Sequence, residues 1–415
     1  MNKSPPGFFK GIDSNLRARI ILSCDRRHSL GPIVKRLISL FAVIISLIAC
    51  GSKSPRVEKV YEDGVEVILN HLEPYNVLGR PSTCAVIEDV RIDLEKHEYA
   101  DLGLKEPDVV EADSKDNIFI VEKFPDSEYF IYKFGADGRF IMKFGRKGQG
   151  PGEVQGIWDL MLDKSDRILV SNPRVNKVVE FDTEGRFIKE IKVRAGLMEV
   201  LPLANGNYLA RRYPKKDSET YGMYLSLFTP DFEEAKTIDF YDMSDLTPGR
   251  NQPGIIVPFY WRVAGDRIYV GNGRRGYEIR VYDLNGNLLR KIRKDYNPVA
   301  YPEEFRIQTE KIAAAQPNLN LFALKDMPPF NSFFIDEAGR LFVMTYEQGE
   351  NGNGFIHDVF DSDGIFIARI ALGSYGILGR ALNRLRATAA NGRFYRLFFK
   401  ENGYPELIVY RMLWK

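Results

Sequence analysis

The sequence Ile131-Tyr-Lys-Phe-Gly-Ala-Asp-Gly-Arg-Phe-Ile-Met-Lys-Phe144 consists of two aromatic-rich strand patterns separated by an Asp-Gly turn. The same phrase recurs at residues 178–191, 279–292 and 357–370, with Glu-Gly, Asn-Gly and Asp-Gly at the turn. Asp-Gly and Asn-Gly between apolar strand residues are strong signals for a β-hairpin. A unit that returns along a chain indicates an array of similar supersecondary elements.

A second polar turn precedes each phrase, so that a full set holds four strands with two short turns. The two turns are 21, 19 and 20 residues apart in the three clearest sets. The step from Gly138 to Gly185 is 47 residues, which is within the range of β-propeller blades. The repeat therefore predicts blades of four antiparallel strands.

Six such sets can be traced, but the last one ends after three strands. A strand pattern at residues 86–94 precedes the first set and has no partner within it. Pairing this segment with the last set completes the blade and leaves no exposed sheet edge. We therefore predict an all-β fold: a six-bladed β-propeller over residues 84–415, closed by its N-terminal strand.

One segment departs from the repeat between the fourth and fifth sets. Residues 303–316 are rich in helix-forming residues and are flanked by Pro302 and Pro317. We expect a helical insertion, over about residues 302–324, that rests on one face of the ring.

The N-terminus has the pattern of an export signal. Residues 37–49 are thirteen uncharged, mostly apolar residues after Lys35-Arg36, which is too short to span a bilayer comfortably. The run ends in Leu47-Ile48-Ala49-Cys50 and resembles the lipobox of bacterial lipoproteins. The resemblance implies that residues 1–49 are removed, and that diacylated Cys50 anchors the protein outside the cytoplasm (outer membrane or cell surface in a Gram-negative cell). The alternative is an ordinary buried cysteine after a core helix.

The 36 residues before the apolar run are long for a signal peptide, and a translation start near Val34 would explain them. Residues 50–83 are polar and turn-rich, and they predict a tether with a small hairpin laid on the body. Removal of Cys24 would leave Cys84 as the mature chain's second cysteine, so we expect no internal disulfide. Histidines are too few to suggest a catalytic partner for Cys84.

Charge excludes one class of function. The chain carries a formal charge of +2, but residues 1–49 hold eight basic and two acidic residues, so the remainder carries −4. A mildly acidic body lacks the basic surface of a nucleic-acid-binding protein. We therefore expect no nucleic-acid partner.

The loop Gly145-Arg-Lys-Gly-Gln-Gly-Pro-Gly-Glu153 superficially suggests a phosphate site, but no helix pattern follows it. Together with the strand phrases, it resembles the connection between blades in NHL-type six-bladed propellers, which include a class of bacterial lipoproteins. The resemblance implies that the glycines let the chain cross from one blade to the next. The alternative is that Arg146, Lys147 or Glu153 contacts a ligand.

The resemblance to propeller enzymes of the lactonase and lyase type implies a metal in the central channel. The matching acidic residues are Asp108, Glu111, Asp159 and Asp336, whereas Leu201 and Arg262 at related positions are not metal ligands. No pair of histidines suggests zinc. Calcium is the one cofactor that these oxygen ligands would suit. The alternative is that neighbouring blades cap these acids and that no cofactor is bound.

The loops between second and third strands, and those between blades, are expected to share one face. Aromatic and arginine residues on this loop-rich face suit a sugar, peptide or anionic ligand; they are Trp158, Arg211, Arg212, Tyr260, Trp261, Arg274, Arg275 and Tyr346. The sequence thus favours a lipid-anchored module that binds a protein, peptide or glycan there. The alternative function is a calcium-dependent, lactonase-like hydrolase or lyase that uses the channel.

Overall fold

Six blades form a ring in the computed structural model, which confirms the predicted propeller; five are four-stranded antiparallel sheets, and the four antiparallel strands of the remaining blade belong to a six-stranded sheet. The structure describes residues 57–77, 80–122, 129–213, 221–246, 252–317, 320–350, 354–372, 387–400 and 402–415. The predicted signal peptide and Cys50 lie outside the described residues.

The strands of the described residues are, in chain order, β1 (Val57–Glu62), β2 (Val65–Asn70), β3 (Asn76–Val77), β4 (Arg80–Pro81), β5 (Cys84–Asp93), β6 (Val109–Ala112), β7 (Ile118–Val121), β8 (Ile131–Phe134), β9 (Phe140–Phe144), β10 (Asp159–Leu162), β11 (Ile168–Asn172), β12 (Lys177–Phe181), β13 (Phe187–Lys192), β14 (Leu197–Pro202), β15 (Tyr208–Arg212), β16 (Gly222–Phe228), β17 (Glu234–Asp242), β18 (Gln252–Pro253), β19 (Phe259–Ala264), β20 (Arg267–Asn272), β21 (Glu278–Asp283), β22 (Leu288–Lys294), β23 (Leu321–Phe322), β24 (Ser332–Ile335), β25 (Leu341–Gln348), β26 (Phe355–Phe360), β27 (Phe366–Leu372), β28 (Ala387–Ala390), β29 (Arg393–Phe399) and β30 (Pro405–Trp414).

Blades 1 to 5 are β6–β9, β10–β13, β14–β17, β19–β22 and β24–β27, each in simple sequence order. Blade 6 contains β28, β29 and β30, and its fourth strand is β5 from the other end of the chain. The β5–β30 ladder runs antiparallel from Asp93 opposite Glu406 to Cys84 opposite Trp414. The predicted closure is therefore confirmed.

The glycine of each repeated phrase marks a contact between blades. Gly138 has a φ of +83°, and a Cβ there would lie 2.7 Å from a methyl carbon of Val90 on β5. Gly185 has a φ of +73° and would meet the ring of Phe144 on the preceding blade in the same way. Because each turn packs against the outer strand of its neighbour, both the conformation and the space require glycine.

The N-terminal hairpin β1–β2 adds two strands to blade 4. Strand β2 pairs in parallel with β22, with Ile68 opposite Ile292. The buried Asn70 side chain donates to Arg293 O (3.1 Å) and Gly364 O (3.0 Å) and accepts from Phe366 N (2.8 Å). This one amide therefore joins the hairpin and blade 4 to blade 5.

Two α-helices are described, α1 (His97–Ala100) and α2 (Glu303–Ala315). Helix α2 lies within the predicted insertion and buries Phe305 and Thr309. Phe305 packs with Tyr301, Met327 and Tyr346, which fixes the helix near the loop end of blade 5. Neither of these helices is long and apolar enough to cross a membrane.

Candidate binding cavity

A ring of six side chains, one from the inner strand of each blade, lines a cavity of about 220 Å³ at the centre of the propeller. These side chains are Glu111, Met161, Leu201, Arg262, Phe334 and Thr388, from blades 1 to 6 in order. Blades 1 and 4 are three places apart in a ring of six. Glu111 and Arg262 therefore lie on opposite walls of this central cavity.

Arg262 is the cation among the described residues that line the central cavity. Its guanidinium donates to Trp261 O (3.1 Å) and to the Tyr260 hydroxyl, and it lies 4.4 Å from the centre of the Tyr260 ring. No carboxylate of the described residues lies within 4.0 Å of it. Within the part of the chain that the structure describes, the groups that contact the Arg262 guanidinium are thus neutral.

Two carboxylates lie on the other side of the cavity, on neighbouring blades. Thr388 Oγ1 donates to Glu111 Oε2 at 3.2 Å, which fixes one carboxylate oxygen of Glu111. Asp159 is the first residue of β10, where it lines the cavity and is buried. The cavity therefore has an acidic wall formed by blades 1 and 2.

The structure does not bring the four predicted metal ligands together. Glu111 and Asp159 line the cavity, whereas Asp108 precedes β6 and is not part of the lining. Asp336 lies in the turn after β24, where its carboxylate accepts from the N–H groups of Ala338 and Arg340 and from Arg340 Nε. Among the residues that the structure describes, no group of three His, Cys, Asp or Glu side chains is placed to hold a metal ion.

The glycine-rich loop after β9 closes on its own glutamate. Glu153 pairs with Arg146 at 2.6 Å and accepts from Gly150 N at 2.9 Å, and this backbone hydrogen bond is the main cause that lowers the Glu153 pKa. Lys147 forms a backbone bridge with Val154. The contacts of Glu153 and Arg146 lie within the loop itself.

Most predicted residues of the loop-rich face are engaged in contacts within the protein. Glu199 accepts from Trp158 Nε1 at 3.0 Å and pairs with Arg211 at 2.7 Å, with its own φ at +50°. The three other arginines each have a carboxylate partner: Arg212 pairs with Glu234, Arg274 with Asp245 and Arg275 with Asp239. These contacts tie neighbouring strands and blades together.

The three remaining aromatic residues have different surroundings. Tyr346 is buried next to α2, and burial raises the pKa of its hydroxyl to about 12. The Arg262 guanidinium stacks on the Tyr260 ring, and Trp261 lines the central cavity. The structure thus brings Tyr260 and Trp261 to the same site as Arg262.

The central cavity continues into a larger one of about 800 Å³, which we call the vestibule. The two share the lining residues Leu162, Val263, Ala264, Ile335 and Ala389. The vestibule lies on the face opposite the loop-rich face, among the short turns within blades. A ligand therefore has a route to Arg262 from this face.

The vestibule carries more acidic than basic side chains. Its acidic residues are Asp163, Asp266, Asp336, Glu337, Asp361 and Asp363, and its basic residues are Lys164, Arg267 and Arg290. Arg167 and Arg340 pair with Asp163 and Asp336 from outside the lining, and carboxylates still outnumber cations when these two are included.

Arg262 was not among the predicted site residues, because an arginine side chain is not a metal ligand. A signal was present nonetheless, since Arg262 occupies the same inner-strand position as Glu111, three blades away. Aligning the six inner strands with one another would have revealed a charged pair across the channel.

A family comparison agrees with the propeller architecture. Residues 94–247 match a family described as 6-bladed beta-propeller. No curated protein matches the sequence. A member of the DUF4221 family from Bacteroides vulgatus has a similar structure at 12% identity, covering 88% of this chain and 99% of that chain, with a TM-score of 0.47.

Two enzymes also have similar structures. A virginiamycin B lyase from Staphylococcus aureus is 8% identical, covering 80% of this chain and 100% of that chain, with a TM-score of 0.43. A gluconolactonase from Xanthomonas campestris is 13% identical, covering 80% of this chain and 96% of that chain, with a TM-score of 0.37. At these identities and TM-scores, neither enzyme's activity bears on the ligand of this chain.

Proposed function

We propose that the protein is a lipid-anchored, extracytoplasmic binding protein that holds an anionic group against Arg262 in its central cavity. The apolar run and Cys50 at the N-terminus support the anchor. The cavity suits a small molecule or the end of a peptide or glycan. Scaled from the ~150 Å³ that hold benzene, it accommodates about nine non-hydrogen atoms.

The observation that carries the proposal is the set of partners of Arg262. Arg262 is half-buried, and a guanidinium partly withdrawn from water is stabilised by a carboxylate or by several acceptors. Tyr260 and the Trp261 carbonyl use only part of its five donors. The remaining donors suit a carboxylate or phosphate oxygen, which a guanidinium binds in a charge-assisted and often bidentate way.

This proposal places the ligand in the cavity rather than on the loop-rich face. The arginines described on that face already pair with carboxylates, so a ligand would have to displace an existing ion pair. At Arg262, a ligand anion would form a new ion pair, and no existing ion pair of the described residues would have to break.

We expect hexanoate to bind the full-length protein, purified in detergent, and Arg262→Gln to weaken this binding at least tenfold. Glutamine keeps a polar side chain of similar length but removes the charge, and a hydrogen bond to a charged group contributes about 1.5–3 kcal/mol. Isothermal titration calorimetry measures both affinities.

Arg186→Gln is the matched control, because Arg186 is an exposed arginine in a turn of blade 2. It should bind hexanoate as the unmodified protein does. Equal affinity of the Arg262→Gln protein, or no binding of hexanoate to the unmodified protein, would contradict the proposed site.

The alternative function, a calcium-dependent hydrolase or lyase, would use Glu111 and Asp159, the two carboxylates of the cavity. Since Asp108 and Asp336 do not join them there, we expect calcium chloride to leave the melting temperature unchanged. Differential scanning calorimetry with calcium and with chelator tests this. Stoichiometric calcium that raises the melting temperature, and an effect lost in Asp159→Asn, would favour the enzyme instead.

A further inference from the structure

We infer that the ligand of Arg262 is a small acid with an apolar body, in the class of short hydrocarbon and aromatic carboxylic acids, and not a sugar acid or another hydroxylated anion. This inference rests on the proposed function, because it describes the part of the ligand that follows the anionic group already placed at Arg262. Three features of the central cavity support it: the side chains beside Arg262, the fixed position of its guanidinium, and the lining of the opening to the vestibule.

The first feature is the pair of side chains beside Arg262 in the ring. Blades 3 and 5 adjoin blade 4, and their members of the ring are Leu201 and Phe334. Leu201 packs against the hydrophobic cluster between blades 3 and 4. The Phe334 ring is buried, and its centre lies 4.5 Å from that of Phe342 and 5.0 Å from that of Phe394. The carbons next to a bound carboxylate would therefore lie between two apolar side chains.

The other charged or hydroxyl-bearing side chains of the described lining come from more distant blades. Glu111 belongs to blade 1, Asp159 to blade 2 and Thr388 to blade 6, and none of these blades adjoins blade 4. A hydroxyl group on the carbon next to the carboxylate would thus face Leu201 and Phe334, whose side chains have neither a donor nor an acceptor. Moving a hydroxyl group from water to such a place without a new hydrogen bond is unfavourable.

The second feature is the fixed position of the Arg262 guanidinium. One of its faces lies on the Tyr260 ring, and this ring packs edge-on against Phe333 of blade 5, with the ring centres 5.2 Å apart. The Trp261 carbonyl and the Tyr260 hydroxyl also hold the guanidinium through hydrogen bonds. Because the guanidinium is held in this way, a carboxylate bound to it stays beside the two apolar neighbours.

The third feature is the opening between the central cavity and the vestibule. The lining residues common to both are all apolar: Leu162, Val263, Ala264, Ile335 and Ala389. A ligand that reaches from Arg262 towards the vestibule therefore passes a second set of side chains that form no hydrogen bonds. Burial of apolar carbons against these side chains is favourable and increases with the area removed from water. This route therefore favours a hydrocarbon chain over a hydroxylated one.

The test compares three acids with the same carbon-chain length and the same charge: hexanoate, 2-hydroxyhexanoate and gluconate. The first has no hydroxyl group, the second has one beside the carboxylate, and the third has one on each remaining carbon. We expect 2-hydroxyhexanoate to bind the full-length protein, purified in detergent, about tenfold more weakly than hexanoate, and gluconate to bind more weakly still. Isothermal titration calorimetry measures the three affinities.

Leu201→Asn tests whether the side chains beside Arg262 cause this preference. Leu201 is half-buried, and asparagine keeps its approximate size while adding an amide that can bond to a ligand hydroxyl group. We expect hexanoate to bind this variant about tenfold more weakly, with an affinity similar to that of 2-hydroxyhexanoate. Leu413→Asn is the matched control, because Leu413 is an exposed leucine of blade 6, and it should keep the preference for hexanoate.

Retained binding of 2-hydroxyhexanoate by Leu201→Asn shows that the cavity is intact, since a collapsed cavity would bind neither acid. The comparison on the unmodified protein does not depend on this variant. Two results would overturn the inference: 2-hydroxyhexanoate or gluconate bound as tightly as hexanoate by the unmodified protein, or a preference for hexanoate that is unchanged in Leu201→Asn. Both results leave the dependence of hexanoate binding on Arg262 intact. The proposed function fails in a different way, when hexanoate does not bind or when Arg262→Gln leaves its affinity unchanged.

Discussion

Replacing Asp358 with alanine should lower the free energy of unfolding by about 3–5 kcal/mol. Asp358 is 1% exposed and accepts from the Tyr277 hydroxyl at 2.9 Å and from Arg369 Nε at 3.2 Å. It also pairs with Lys294 at 3.4 Å, whose side chain is 3% exposed. Alanine would leave the Lys294 ammonium buried without a carboxylate, and this uncompensated charge is the main cost.

These contacts matter for the site because they join blades 4 and 5, between which part of the vestibule lies. Tyr277 and Lys294 belong to blade 4, and Asp358 and Arg369 belong to blade 5. Burial, together with Asp358, raises the pKa of the Tyr277 hydroxyl far above its usual range. Tyr277 is therefore a neutral hydrogen-bond donor to Asp358 at neutral pH.

Urea denaturation measures the change in stability. Asp363→Ala is the control on the same blade, because Asp363 is 66% exposed and its ion pair with Arg290 is 3.7 Å long. Exposed pairs of this kind contribute about 0–1 kcal/mol. A loss below about 1 kcal/mol for Asp358→Ala, similar to the control, would show that the buried network does not hold the two blades.

Ile92→Ala should cost about 2–5 kcal/mol, because it removes a buried side chain from the strand that closes the ring. Ile92 is fully buried on β5 and packs with Leu407 and Val409 of β30. Ile87 lies on the same strand but is 51% exposed. Ile87→Ala is therefore expected to change stability by less than about 0.5 kcal/mol.

Urea denaturation of the two variants measures their stability and thereby tests the register of β5 in blade 6. A slip of one residue would exchange the buried and exposed faces of the strand. Equal effects of the two substitutions, or a larger effect at Ile87, would mean that β5 does not close the propeller as described.

The repeat sufficed to predict the ring because its signals are local. The glycine of each repeated phrase has a left-handed conformation and contacts the preceding blade, so sequence spacing and packing carry the same information. The closing strand could be predicted from the number of strands, because the last set contains three strands and one strand before the first set has no partner. The parallel pairing of β2 with β22 could not be predicted in this way, because blade 4 already has four strands and the repeat gives no signal for a further one.

The site was harder to predict than the fold. Whether an arginine is paired depends on residues distant in sequence, as with Arg275 and Asp239, which are 36 positions apart. Asp336 was predicted as a channel ligand although a local signal pointed to a turn. Asp113 and Asp163 hold the same position in earlier sets, and all three carboxylates accept backbone N–H groups of the turn.

Anomalous diffraction from crystals soaked with para-bromobenzoate tests the central claim most directly. Bromine marks the ligand, and its carboxylate must lie within hydrogen-bonding distance of the Arg262 guanidinium if that side chain is the anion site. We predict one bromine peak in the central cavity or at its opening to the vestibule, absent from crystals of Arg262→Gln. Bromine peaks confined to the loop-rich face, or a cavity peak that persists in Arg262→Gln, would contradict the account.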